Sequence, residues 1–421
     1  MIVRKILFLV LILIAFRMNA YPQLNEIGKF ELESWKDRKV IVSFKLINNL
    51  IVVPISINGS DTLHFVLDTG VGSTLITEFP SGTEIGFNYL RTVKITGLGE
   101  GESIDVLYSP NNVIEFGKAV GRQQDILVMT EDVFQLSSLL GTNVHGLIGF
   151  ALFKDLIVEI DYEENKLILH EYHKYIDRYK DKQRSGKWTS MPLTIYKQKP
   201  YIDVEIEQKD GTKEQVKLLL DSGASHGMAL YYSANEKIHL PEARMRSFLG
   251  SGISGEINGY LGKIESLSID GNIMEDVVVA YPDEEGIKQA LLYSDRDGSI
   301  GAEVMRRFKF FFNYRDSSMI MRRDNDFDED FSYNLSGIEI AAPYPNIPLY
   351  AVTHVRKSSV AEKAGVLPDD LILEINGKGV QSFGLSDIHR LFQKPGQKVW
   401  LKLMRGEEYI IKEFYQEDEL E

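Results

Sequence analysis

Polar and apolar positions alternate in short runs along most of the 421-residue chain, as in VVPISING (52–59) and YIDVEIEQKDG (201–211). A period of two predicts half-buried β-strands, and helical spacing is confined to brief stretches such as 134–140. Two runs break the alternation. FVL (65–67) ends at Asp68 and LLL (218–220) ends at Asp221, and each is followed by a small hydroxyl residue and a glycine, DTG and DSG. Both read as buried strands that stop at a sharp turn, which puts the two aspartates at strand ends.

The pattern around the aspartates occurs twice. GLGEG begins at Gly97 and GSGISGE at Gly250, the same 153 residues apart as Asp68 and Asp221. Gly149 and Gly301, and Tyr162 and Tyr314, are each 152 apart, within the longer runs HGLIGFALFKDLIVEIDYEENKLIL and DGSIGAEVMRRFKFFFNYRDSSMIM. An ordered set of features in one register predicts tandem lobes. Strands broken by Gly-rich turns predict a small closed barrel in each. The polar, basic stretch 170–190 reads as the connector, and the acidic cluster near 324–336 as a solvated linker. The expected division is a signal segment at 1–20, lobe 1 at 21–178, lobe 2 at 179–323, the linker at 324–336 and a C-terminal domain at 337–421.

Composition narrows the setting. Arg4 and Lys5 precede an apolar run over 6–16, a pattern that predicts a secretory signal cut near Ala20, although Met18 is unusual for such a cleavage site. Its removal takes three positive charges and moves the net charge from −14 to −17, which disfavours phosphate backbones and so nucleic acid. Cysteine is absent, excluding disulfides and thiol catalysis. No other segment approaches membrane-spanning length, so the expectation is an exported protein without a stable membrane span, placed first in the periplasm with secretion as the alternative. The eight histidines form no H-E-x-x-H pattern, and GSGISG does not fit a G-x-S-x-G nucleophile elbow, so no metal or cofactor is expected. His145 and His226, near the motifs, read as packing or hydrogen-bonding residues.

Taken together, D-T-G or D-S-G, a Gly-rich hairpin and a hydrophobic-hydrophobic-Gly element (LIG at 147–149, SIG at 299–301) resemble the pepsin and retropepsin superfamily of aspartic peptidases over about residues 40–323. DSGASH resembles the retropepsin-like proteases of bacteria. Ser299 and Gly72 depart from the pattern, the first replacing an apolar residue and the second a polar or acidic one. The resemblance implies a mainly β fold of two barrel lobes and a catalytic pair, Asp68 and Asp221. Two carboxylates about 3 Å apart cannot both ionise cheaply, so one can hold a proton as acid while the other activates water. Thr69 and Ser222 would lock the opposing loops through their hydroxyls. Gly70 and Gly223 would permit the turn and a close approach, and Gly149 and Gly301 would let a second segment pass each loop. Gly97, Leu98, Gly99, Gly250, Ser251 and Gly252 would form flap tips over an extended peptide.

From 337 onward, SSVAEKAGV, PDDLILEINGKGV and the amphipathic LSDIHRLF resemble a bacterial PDZ domain. The resemblance implies capture of peptide C-termini by strand addition. The expected carboxylate loop is YPNIPLY (344–350), with Ile347, Leu349, Tyr350, Ala351 and His389 as the peptide-binding residues; Pro345 and Pro348 remove donors from that loop. Two functions of different class follow: an aspartic endopeptidase acting on polypeptides with PDZ assistance, or a non-catalytic peptide-binding scaffold on the same fold.

Overall fold

The computed structural model describes residues 28–33, 38–79, 85–87 and 89–421. The segment read as an export signal, 1–20, lies outside the described residues. The fold is mainly β.

In lobe 1 the strands Leu50–Ile57, Leu63–Leu67, Gly146–Ile148, Thr74–Ile76, Ala119–Met129 and Ile104–Phe116 follow one another in a ring, because Ile104–Phe116 pairs both with Ala119–Met129 and with Leu50–Ile57. Lobe 2 repeats the order with Lys199–Glu207, Lys213–Leu220, Gly298–Ile300, Met228–Leu230, Val278–Pro282 and Gly255–Lys263. Here the last strand breaks at 264–265 and continues as Ser266–Ile269, which returns to Lys199–Glu207. The Ile264 N–H bonds Val277 O across the break. Alternating inward residues such as Val53, Ile55 and Ile57 or Val204 and Ile206 are buried, as a half-buried strand requires.

A third sheet joins the lobes. Its order is Thr189–Pro192, Ser318–Arg323, Phe308–Asn313, Leu156–Asp161, Lys166–Glu171 and Lys39–Ser43. At its centre the two repeated hairpins pair with each other, Val158 opposite Phe312 and Ile160 opposite Phe310. The stretch read as a polar connector is instead mostly a helix, Tyr172–Arg184, capped by Glu171, whose carboxylate accepts from the N–H groups of His173 and Lys174. Tyr175 and Tyr179, one turn apart, bury against Ile157, Phe311 and Ile320. The boundary expected between 178 and 179 therefore falls inside an element.

The acidic stretch 324–336 also differs from expectation. It packs against lobe 2 rather than standing in solvent. Phe327 is buried edge-on against Phe308, 5.3 Å between ring centres. The fully buried Arg307 donates to the carbonyls of Phe327, Glu329 and Asp330. Tyr333 and Leu335 join Met245 and Val278 of lobe 2 and Leu420 at the C-terminal end of the chain in one apolar cluster. Local acidity hid a segment anchored by its buried Phe327 and Tyr333 and by the carbonyls that Arg307 gathers.

The C-terminal sheet runs Ile338–Ala341, Tyr350–Val355, Leu371–Ile375, Lys398–Arg405, Glu408–Tyr415. The helices Val360–Lys363 and Leu385–Leu391 lie where SSVAEKAGV and LSDIHRLF predict them. Among the described residues no helix is long and apolar enough to cross a membrane.

Candidate active site

Leu63–Leu67 and Lys213–Leu220 deliver Asp68 and Asp221 to the ends of buried strands. A short strand inserted beside each, Gly146–Ile148 or Gly298–Ile300, lies parallel to the aspartate strand and accepts the aspartate's amide: Asp68 N–H bonds Ile148 O at 2.8 Å and Asp221 N–H bonds Ile300 O at 2.9 Å. Gly149 and Gly301 follow. A side chain at 149 would meet the carbonyl oxygens of Asp68 and Val71 at 2.1 and 2.6 Å, and one at 301 those of His226 and Ala224 at 2.0 and 2.9 Å. Ser299 is buried within the second inserted strand.

The two loops are tied together by four hydrogen bonds with two-fold pattern. The Thr69 hydroxyl donates to Leu220 O (2.7 Å) and accepts from Ser222 N–H (3.0 Å). The Ser222 hydroxyl donates to Leu67 O (2.8 Å) and accepts from Thr69 N–H (3.1 Å). Both residues are about 1% exposed, so every one of these groups would lack water if its partner were lost.

The carboxyl groups meet crosswise. Gly70 N–H donates to Asp68 Oδ1 (2.7 Å) and Gly223 N–H to Asp221 Oδ1 (3.1 Å). A Cβ at Gly70 would sit 3.0 Å from the Asp221 carboxyl carbon, and one at Gly223 only 2.3 Å from that of Asp68. Burial, then the charge of Asp221, holds the Asp68 proton well above the ordinary carboxylate range, opposed by the Gly70 N–H and by Lys199. Asp68 is 8% exposed, too buried to ionise without a partner.

Several neighbours were not singled out in the sequence. Two-residue turns with both residues left-handed, Asn48–Asn49 and Lys197–Gln198, precede the two aspartate strands at matching places. Each reaches the other lobe. The Asn49 side chain donates to Ser225 O (3.0 Å), and the Gln198 amide occupies the space beside Gly72, where a Cβ would come within 2.6 Å of its oxygen. Gly72 thus accommodates Gln198 from the other lobe. The paired turns were the available signal. His145 Nδ1 accepts from His64 N–H at 2.9 Å. His226 Nε2 is buried without a hydrogen-bond partner; burial pushes its pKa down and the charge of Asp221 opposes that.

The Gly-rich tips meet each other. Leu98 O accepts from Ser254 N–H (2.9 Å), Ser254 O from Gly101 N–H (2.6 Å), and Gly97 N–H donates to the Ser254 hydroxyl (3.3 Å). Gly99 N–H bonds Gly286 O (2.9 Å), and a side chain at Gly252 would strike Leu98 O at 2.1 Å. Gly250, with φ 133°, shapes the bulge beside Phe248, and Ser251 stays exposed. The interlobe contact therefore joins Gly97 to Gly101 with Gly252, Ser254, Glu256, Asn258 and Gly286, and Gly250 and Ser251 take no hydrogen bond in it.

The C-terminal domain corrects the expected peptide edge. Tyr350 and Ala351 lie in a strand paired on both sides, with Ile338–Ala341 and with Leu371–Ile375, leaving no edge for an added strand. The edge strands of that sheet are Ile338–Ala341, next to Tyr350–Val355, and Glu408–Tyr415 on the far side. The loop holding Ile347 and Leu349 docks on lobe 1: Asn346 N–H bonds Gly141 O (3.0 Å), and just before the loop Ala342 N–H bonds Ser138 O (2.9 Å). His389 Nδ1 lies 3.0 Å from Asn48 Oδ1 of lobe 1. His354 stacks on Phe248 of the lobe 2 hairpin, 4.3 Å between ring centres.

Residues 202–304 match the family model described as aspartyl protease, and residues 352–405 match that of the PDZ domain. The sequence has no match among curated proteins. One solved structure similar to the chain is the aspartic proteinase from Irpex lacteus, 12% identical, with 68% of this chain and 98% of that chain covered and a TM-score of 0.44. With its aspartate loop repeated in lobe 1, the chain has a protease-like fold, similar to aspartyl proteases in its second lobe and to PDZ domains in its C-terminal domain.

Proposed function

We propose that this chain is an exported, periplasmic aspartic endopeptidase whose two lobes form one site within a single chain. The observation that carries the reading is the crosswise contact of Asp68 and Asp221 through Gly223 and Gly70, locked by Thr69 and Ser222. In that arrangement one carboxyl group holds a proton while the other, charged, draws a proton from water as its oxygen adds to the carbonyl carbon. Fixed geometry supplies most of the advantage. The flap tips must part to admit an extended polypeptide and reclose to exclude water. The basic start and apolar run at 4–16 and the absence of cysteine support export without dependence on disulfides.

Denatured casein incubated with the purified chain from acidic to neutral pH should yield new termini, and pepstatin should suppress them. Intact casein at every pH rejects the reading. We also propose that the PDZ domain recruits polypeptides through their free C-termini, in keeping with the PDZ match and with the edge strand Ile338–Ala341. A short peptide with a free C-terminal carboxylate should then slow cleavage of casein but not of a short substrate, and its C-terminal amide should slow neither.

A further inference from the structure

The two lobes differ where their likeness matters most. In lobe 2 the register Tyr201 opposite Leu219, continued two residues along the same face, sets Lys199 opposite Asp221. In lobe 1 the register Val52 opposite Val66 sets Leu50 opposite Asp68. A second pair differs alike. His145 N–H bonds His64 O as Asp297 N–H bonds Lys217 O, so the residues just before them, Val144 and Arg296, correspond. Leu50 and Val144 are buried in one apolar cluster. Lys199 and Arg296 put two cations in that place.

Lys199 interacts with both members of the aspartate pair, and Arg296 stands next to Lys199. Arg296 is buried, lies over the Tyr231 ring at 5.3 Å and has an unpartnered Nε. Burial, then the charge of Arg296, pushes the Lys199 pKa down, and the charges of Asp221 and Asp68 oppose that and favour its charged form. The site four residues after Asp68, from which a lobe 1 acid could answer Lys199, is Gly72, covered by the Gln198 amide. Of the other titratable groups, His226 and Tyr231 feel Asp221 and Tyr314 feels Asp68.

We infer that Lys199, backed by Arg296, is a positioning residue that keeps the negative charge of the pair on Asp221 and the shared proton on Asp68. This rests on the peptidase reading and assigns its roles. Asp221 takes a proton from water as the water oxygen bonds to the carbonyl carbon, and Asp68 gives its proton to the carbonyl oxygen. In the second half Asp221 passes its new proton to the nitrogen as the C–N bond breaks, and Asp68 recovers one from a hydroxyl of the intermediate. Both groups end as they began.

A cation beside the pair lowers both of its dissociation steps, so its loss moves the active, singly protonated window upward. The test is kcat/KM against pH on a short peptide spanning a site cut in casein. Lys199→Leu, which gives lobe 2 the residue of lobe 1, should move both limbs up by about one pH unit, the scale of one charge several ångströms away at an effective dielectric of roughly 20. Lys199→Arg should restore the wild-type limbs. Should Lys199→Leu not fold, Lys199→Gln carries the same expectation. Limbs that stay in place in a folded, uncharged variant overturn this inference alone. Absence of any cleavage that depends on Asp68 and Asp221 overturns the peptidase reading with it.

Discussion

Thr69 shows how few atoms hold the site. Its hydroxyl serves Leu220 O and Ser222 N–H at once, so Thr69→Val, nearly the same shape, leaves a buried acceptor and a buried donor unpaired. The expected cost is about 2 kcal/mol or more in urea unfolding, with a fall in kcat as the loops drift. Gly223→Ala should act without that loss of hydrogen bonding: its methyl falls on the Asp68 carboxyl group, and a shift of about 1 Å there should lower kcat about 100-fold or more. The proton on Asp68 also links stability to pH. The folded state binds it more tightly than the unfolded state, so the stability it contributes is complete below the ordinary carboxylate range and is lost as pH rises through the raised folded value. Asp68→Asn should therefore flatten the decline, and urea midpoints of variant and wild type should separate as pH increases. The triplets and glycines of this site were legible from the repeat, because each local motif carries its own chemistry. Lys199 was not, because it meets Asp221 only through strand register.

At the scale of elements, the repeat foretold two barrels but not the sheet between them. Each hairpin, 156–171 and 308–323, is complete in its own lobe, and nothing local says that Val158 will face Phe312. The helix Tyr172–Arg184 was obscured by its charge: only two tyrosines one turn apart bury deeply. The Gly-rich tips were legible as hairpins, while their meeting depends on Ser254, whose neighbours in sequence give no such sign. Gly252→Ala should drive the tips apart, because a methyl cannot sit 2.1 Å from Leu98 O. Amide exchange at 97–101 should then quicken while the strand Leu63–Leu67 keeps its protection; unchanged exchange would mean that the tips do not depend on this contact.

In the whole molecule the protease-like body and the PDZ domain are joined by more than a tether. Arg307 collects the carbonyls of the acidic stretch, and Leu420 brings the C-terminal end of the chain into the cluster with Tyr333 and Met245. Arg307→Met should leave those carbonyls unpaired, and a broad-specificity protease should then cut within 324–336, where the wild-type chain resists. The edge strand Ile338–Ala341 and the docked loop at 343–349 could not be separated in the sequence, since the strand is only four residues long and runs almost directly into the loop. Completeness of the site within one chain is the claim on which the rest stands. It is tested most directly by casein cleavage with wild type, Asp68→Asn, Asp221→Asn and an equimolar mixture of the two variants. Cleavage by the wild type alone, with each variant and the mixture inactive, is the expected result. Full activity in either single variant, or activity regained on mixing, would contradict it.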